Sequence, residues 1–346
     1  PVPYPIDYVP FYSRTYSELT NDIELYRIDI NALTGNKEKK FINFIHEDTF
    51  KVVTPETIKS TIEGIETESN QQYTILLGSG EYSIGKIGGT IDILSYPKNI
   101  VFLGTENSII TKYRLPHRTS GAQIYSSMPI NWRFGGIKFT GEMGIDAGHS
   151  EGLPSYDNFI VKNCDFSADY ATIHLESYYD SSIIIDNLTV DHCFFGKGNT
   201  IDTYWGNSVF AYFNINNATI KNCVFKEAAH NAIQIYEELN KQKGVLKNLT
   251  IENNLFYHVS NRPVNVLIGD STASIIIRDN INIDCNSDAS RFDQLYAIAG
   301  LPYGVVTEEM FNNAVLVNNS CNGMQEENCV YWAYDKYDDG DRIIHA

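Results

Sequence analysis

The sequence predicts an all-β chain wound as a parallel β-helix, and three observations carry that reading. A short phrase recurs as Phe159–Phe166 (FIVKNCDF), Leu188–Phe195 (LTVDHCFF), Ala218–Phe225 (ATIKNCVF) and Leu249–Phe256 (LTIENNLF), with starts 29, 30 and 31 residues apart. Self-similarity at such a period marks a solenoid, in which each repeat buries its apolar face against its neighbours. Inside the phrase the apolar residues alternate with a period of two and are Ile, Val, Phe, Leu and Cys, so each copy is a strand. Weaker copies at Trp132–Phe139 and Ile275–Asn282 lie 27 and 26 residues outside the four strong ones.

The elements follow in order. Residues 1–53 lack the repeat and read as an N-terminal extension, with alternation in Glu24–Ile30, a turn at Thr34–Glu38 and a second strand in Lys40–Ile45, the pattern of a β-hairpin. From 54 to 346 the chain reads as one β-helix. Thr54 as N-cap, Pro55 at the first helical position and Ile58, Ile62 and Ile65 at helical spacing predict a short N-terminal capping helix. Such a helix covers strand edges that an open solenoid end would expose. Tyr73–Ser83 and Asn99–Thr105 supply the first rungs.

At the other end, Ala314–Cys321 begins 39 residues after Ile275, a surplus over a normal rung. The stretch 284–313 is therefore expected to be an excursion loop, with Tyr296, Tyr303, Glu308 and Glu309 placed to wall a groove. The aromatic and acidic tail, Tyr331–Asp341, is expected to cap that end.

Composition excludes some functions. A net charge of −17 over 346 residues argues against nucleic acid, whose phosphates demand a surplus of Lys and Arg. No run reaches the ~18 apolar residues of a membrane span. The chain starts at Pro1 without an initiator Met or a signal-like segment, the pattern expected of a processed or truncated product. Of six cysteines, Cys164, Cys193 and Cys223 occupy one place in successive repeats and read as small buried residues. Cys321 and Cys329 are near enough in sequence for a bridge or for two thiols. Asn187, Asn217 and Asn248 each begin Asn-Xaa-Thr, a glycosylation pattern that strand-entry turn chemistry also explains.

The helix at Thr54–Ile65, the Ile75-Leu-Leu-Gly-Ser-Gly-Glu-Tyr82 rung and the repeated Thr-Ile-x-Asn-Cys/Asn-x-Phe phrase together resemble the pectin-lyase-like right-handed β-helix superfamily. That group includes polysaccharide lyases, polygalacturonase-like hydrolases and phage tailspike depolymerases. The likeness covers roughly residues 54–330. It implies an extended polysaccharide or oligosaccharide partner on a lateral face, usually cleaved, and a secreted, cell-surface or virion-surface location. The catalytic phrases of individual branches are missing: there is no Gly-His-Gly, Asn-Thr-Asp or Asp-Pro-His, and Arg262-Pro263 lacks a second Arg. Fold likeness alone therefore does not name the chemistry.

Aligning repeats by their Phe places the following strand at Ile145–Gly148, Ile173–Glu176, Ile201–Tyr204, Ile233–Tyr236 and Val264–Leu267. Alternate Ile, Val and Leu point inward, so one outward column reads Asp146, His174, Asp202, Gln234, Asn265 and its neighbour includes Glu176, Tyr204 and Tyr236. The column concentrates acids and a histidine beside aromatic residues, without basic neutralisers. Rungs about 4.8 Å apart would place these carboxylates within the ~5–9.5 Å window of glycosidases.

The expected function is an endo-acting glycoside hydrolase without cofactor. Asp146, Glu176, Asp202 and His174 supply its acid–base chemistry, and Tyr204, Trp205, Gln234, Tyr236, Asn265 and Arg262 bind substrate. One alternative is a polysaccharide lyase with Ca²⁺ on Asp146, Glu176 and Asp202 and Arg262 as base. Another is a non-catalytic glycan-binding fibre. A solvated polar column, serving only solubility, is the plain structural explanation. Lys162, Asp191, Lys221, Glu252 and Arg278 form a comparison column that reads as a charge ladder. Phe194, Val224, Leu255 and Ile281 form an apolar outward column needing cover from a loop, the N-terminal segment or another subunit. Likeness to tailspikes implies a homotrimer as one such cover.

Overall fold

A computed structural model describes residues 49–85, 89–105, 107–115, 129–141, 144–146, 155–166, 172–176, 184–196, 207–212, 214–235, 246–268, 272–286, 294–300, 312–324, 330–334 and 342–345. Its strands stack in parallel into three faces of one solenoid. The first face carries the long strands, from Phe50–Val53 and Gln72–Leu77 through Tyr156–Lys162, Ile184–Asp191, Asn214–Lys221 and Leu246–Glu252 to Val315–Val317. The second holds short strands such as Asp165–Phe166, Phe194–Phe195, Val224–Lys226 and Leu255–Tyr257. The third holds Ile145–Asp146, Ile173–Glu176, Val209–Tyr212, Ile233–Ile235, Val264–Ile268, Gln294–Gly300 and Val330–Tyr334. Arg342–His345 adds antiparallel to the last of these and ends the stack.

The recurrent phrase is the corner between the first two faces. Its Phe forms a core ladder, Phe139–Phe166–Phe195–Phe225–Phe256, with ring centroids 4.7, 4.8, 4.9 and 5.0 Å apart. The residue before the Cys/Asn position must turn the chain with positive φ, and Asn163, His192, Asn222, Asn253, Asp279 and Asn318 all do so. Asn, Asp and His are the side chains that tolerate that region best, which explains the restricted choice there. The next position is a buried hydrogen-bonding column. The backbone N–H of Cys193 donates to Cys223 Sγ, that of Cys223 to Asn254 Oδ1 and that of Asn254 to Asn280 Oδ1. Thiol and amide thus do one job, and burial pushes the Cys164 and Cys223 thiols well above their ordinary value.

The Asn of Asn-Xaa-Thr lies within strands rather than turns. Asn158, Asn187, Asn217 and Asn248 form an amide ladder along the first face, each donating to the side chain one rung back at 2.5, 3.3, 3.2 and 2.9 Å. The charge column is also in register, with Lys162 3.5 Å from Asp191 and Arg278 2.7 Å from Glu252.

Three expectations change in detail. The capping helix is Ile58–Glu63, preceded by a turn in which Thr57 and Ile58 N–H groups donate to Thr54 O; Ile58 and Ile62 are buried as expected. The excursion predicted over 284–313 contains a rung strand, Gln294–Gly300, paired with Val264–Ile268. Tyr296 consequently enters the core and bonds Asn282 through its hydroxyl, so it walls no groove. Val224 and Leu255 of the apolar column are buried within the single chain, which removes the need for another subunit as their cover. The predicted hairpin before residue 49, Tyr303, Glu308, Glu309 and Cys329 lie outside the described residues. Among the described residues no helix is long and apolar enough to cross a membrane.

Candidate functional site

The third face is built by strands whose inward residues, Ile173, Leu175, Val209, Ala211, Ile233, Ile235, Val264 and Val266, enter the core. Residues between them are thereby turned away from it. Register makes one such column Arg114, Asp146, His174, Phe210, Gln234, Asn265. The expected order therefore holds at Asp146, His174, Gln234 and Asn265 but fails between them. Phe210 takes the place assigned to Asp202, because Val209–Tyr212 and not Ile201–Tyr204 is the rung strand. A longer connection precedes that strand, so a fixed distance from Phe195 picked the wrong segment. Asp202, Tyr204, Trp205 and Tyr236 lie outside the described residues.

Three predicted residues come together with one that sequence reasoning missed. Arg114 Nη1 lies 2.8 Å from Asp146 Oδ2, Asp146 Oδ1 lies 3.2 Å from His174 Nδ1, and His174 Nε2 lies 3.5 Å from Glu176 Oε2. The order is base, acid, imidazole, acid. Arg114 overturns the expectation of a column without basic neutralisers. Phe210 stacks on the imidazole, centroids 5.0 Å apart and planes 20° from parallel.

The array is not solvated. Relative exposures are 1% for Asp146, 5% for His174 and 0% for Glu176, which removes the plain explanation that the column only keeps an exposed sheet soluble. Buried ionisable groups are costly unless paired, and a cluster of them makes this face the functional-site candidate.

The amide end of the face has separate chemistry. Gln234 Oε1 accepts from Asn231 Nδ2 at 2.6 Å, and Asn231 Oδ1 accepts from the Arg262 backbone at 3.2 Å. The Arg262 residue is only 4% exposed and sits three rungs beyond His174, an unsuitable place for the base of a lyase acting there. Of the expected Ca²⁺ trio, Asp146 has both oxygens engaged, and Asp202 lies outside the described residues. Among the described residues no group of three His, Cys, Asp or Glu is placed to hold a metal ion.

Searches against protein-family models, curated proteins and solved structures returned no match. The parallel β-helix itself is common to polysaccharide-degrading enzymes and to binding fibres. Beyond that, the chemistry of the site rests on its own geometry.

Proposed function

We propose that the protein binds an extended polysaccharide along its third face and hydrolyses it, with His174 and Glu176 exchanging the proton that glycosidic cleavage requires. The observation that carries this reading is the placement of two carboxylates on opposite sides of one buried imidazole. The two contact distances and the width of the ring hold the carboxylates no farther apart than roughly 9 Å, inside the upper limit for a pair that admits a water. Asp146 orients the ring, and Glu176, facing its other nitrogen, acts as acid or base. Asn265 continues the same face as a hydrogen-bonding position for sugar hydroxyls, whereas Gln234 is buried and bonded to Asn231.

A non-catalytic glycan-binding fibre is the second reading, and near-complete burial of the array favours it. Release of reducing ends from a panel of neutral and acidic glycans separates the two. Glu176→Gln and His174→Ala should each lower cleavage by about 10²–10⁴-fold while leaving glycan binding in place. Wild-type rates in both variants would move the active centre elsewhere. Binding without cleavage of any bound glycan supports the fibre, and an ultraviolet-absorbing unsaturated product would make the enzyme a lyase.

A further inference from the structure

Arg114 belongs to the strand Ser108–Arg114, one rung before Asp146 and in register with it. Neighbouring Tyr113 is in the core, which turns Arg114 outward to meet the next rung. Its guanidinium engages one oxygen of Asp146 while the other oxygen faces Nδ1 of His174. A carboxylate paired in this way only accepts hydrogen bonds, so Nδ1 must carry a proton. The second ring nitrogen then faces Glu176 Oε2 at 3.5 Å. That contact is a close approach of charge-bearing groups rather than a hydrogen bond. Phe210, stacked on the ring, opposes the flip that would exchange the two nitrogens.

We propose that Arg114 is the positioning residue of the array: by holding Asp146 against Nδ1, it fixes His174 with that nitrogen protonated and turns Nε2 toward Glu176. The catalytic meaning of this rests on the hydrolase reading, but the tautomer does not.

Imidazole ¹⁵N NMR of the full-length protein tests it, with the His174 signal identified by its loss in His174→Asn. The wild type should show Nδ1 protonated throughout the pH range of the folded state. Arg114→Met, which keeps the aliphatic stem, should lower the Nδ1–H population at least about twofold in favour of Nε2–H, and Arg114→Lys should restore most of it. A wild-type ring protonated at Nε2 alone overturns the assignment without any variant. An unchanged tautomer in folded Arg114→Met overturns it as well. If the tautomer responds while Glu176→Gln still cleaves glycans, the hydrolase reading falls and the positioning role stands. If Glu176→Gln abolishes cleavage while the tautomer ignores Arg114, the reverse holds.

Discussion

Phe225→Ala is the sharpest probe of what holds the solenoid together. The ring is fully buried, stacked at 4.9 Å on Phe195 and 5.0 Å on Phe256, with interplanar angles of 3° and 9°. Truncation removes on the order of 150–200 Å² of buried apolar area, about 4–5 kcal/mol at ~25 cal/mol per Å². Both neighbours lie in stacked backbone that cannot collapse into the gap, so the loss should fall at the upper end of the ~3–5 kcal/mol range for Phe→Ala. Urea or guanidinium unfolding followed by fluorescence and circular dichroism measures it. Because each rung touches only its neighbours, the two probes should separate in the variant as the stack divides at the weakened rung. A double-mutant cycle with Phe195→Ala should show about 1 kcal/mol of coupling, whereas Phe139→Ala, rungs away, should add within ~0.5 kcal/mol. A loss below ~1 kcal/mol, or equal coupling at both distances, would refute the ladder as the source of cohesion.

Two further predictions concern the polar columns. Asn254→Ala strips the partner from the Cys223 N–H and the Ile220 carbonyl and should cost about 2–5 kcal/mol, while Asn254→Cys, the choice of three other rungs, should cost less than half as much; equal unfolding midpoints for the two variants would contradict this. Burial alone would raise the Asp191 pKa, but hydrogen bonds from His192 and Asn222 and the charges of His192 and Lys162 hold it below the ordinary 3.8. A lowered folded value means that the stabilisation is complete above pH 3.8 and is lost as pH falls through the folded pKa. The urea midpoint of Asp191→Asn should accordingly lie below wild type near neutrality and converge on it in acid; a gap that widens toward acid would be the wrong sign.

The phrase made much of this legible because it fixes register. Once Phe is aligned with Phe, the charge column, the Cys/Asn column and the apolar column follow, and all three appear with the expected partners. The third face was legible only where the connection after the phrase has an ordinary length. Ile173, Ile233 and Val264 follow their Phe at nearly equal distances, but Val209 follows Phe195 after a longer stretch that contains Ile-Asp-Thr-Tyr, a counterfeit of the strand pattern. One signal could have resolved it: Val209-Phe-Ala-Tyr212 lies just before Asn214–Lys221, where a rung needs its third-face strand, and the Ile201 register leaves that apolar run without a role.

Arg114 was hidden for a different reason. The first rungs lack the phrase, so the outward column seemed to start at Asp146, and a column read without its first member looked like uncompensated acid. With Arg114 in place, a cation faces the first carboxylate of the column, so acid does not accumulate there uncompensated. That changes the chemistry the array can support. Free carboxylates could have divided acid and base among them, as Asp146, Glu176 and Asp202 were expected to do. Asp146 is committed to Arg114 and His174, and Phe210 stands where Asp202 was expected, so the proposed proton exchange falls to His174 and Glu176.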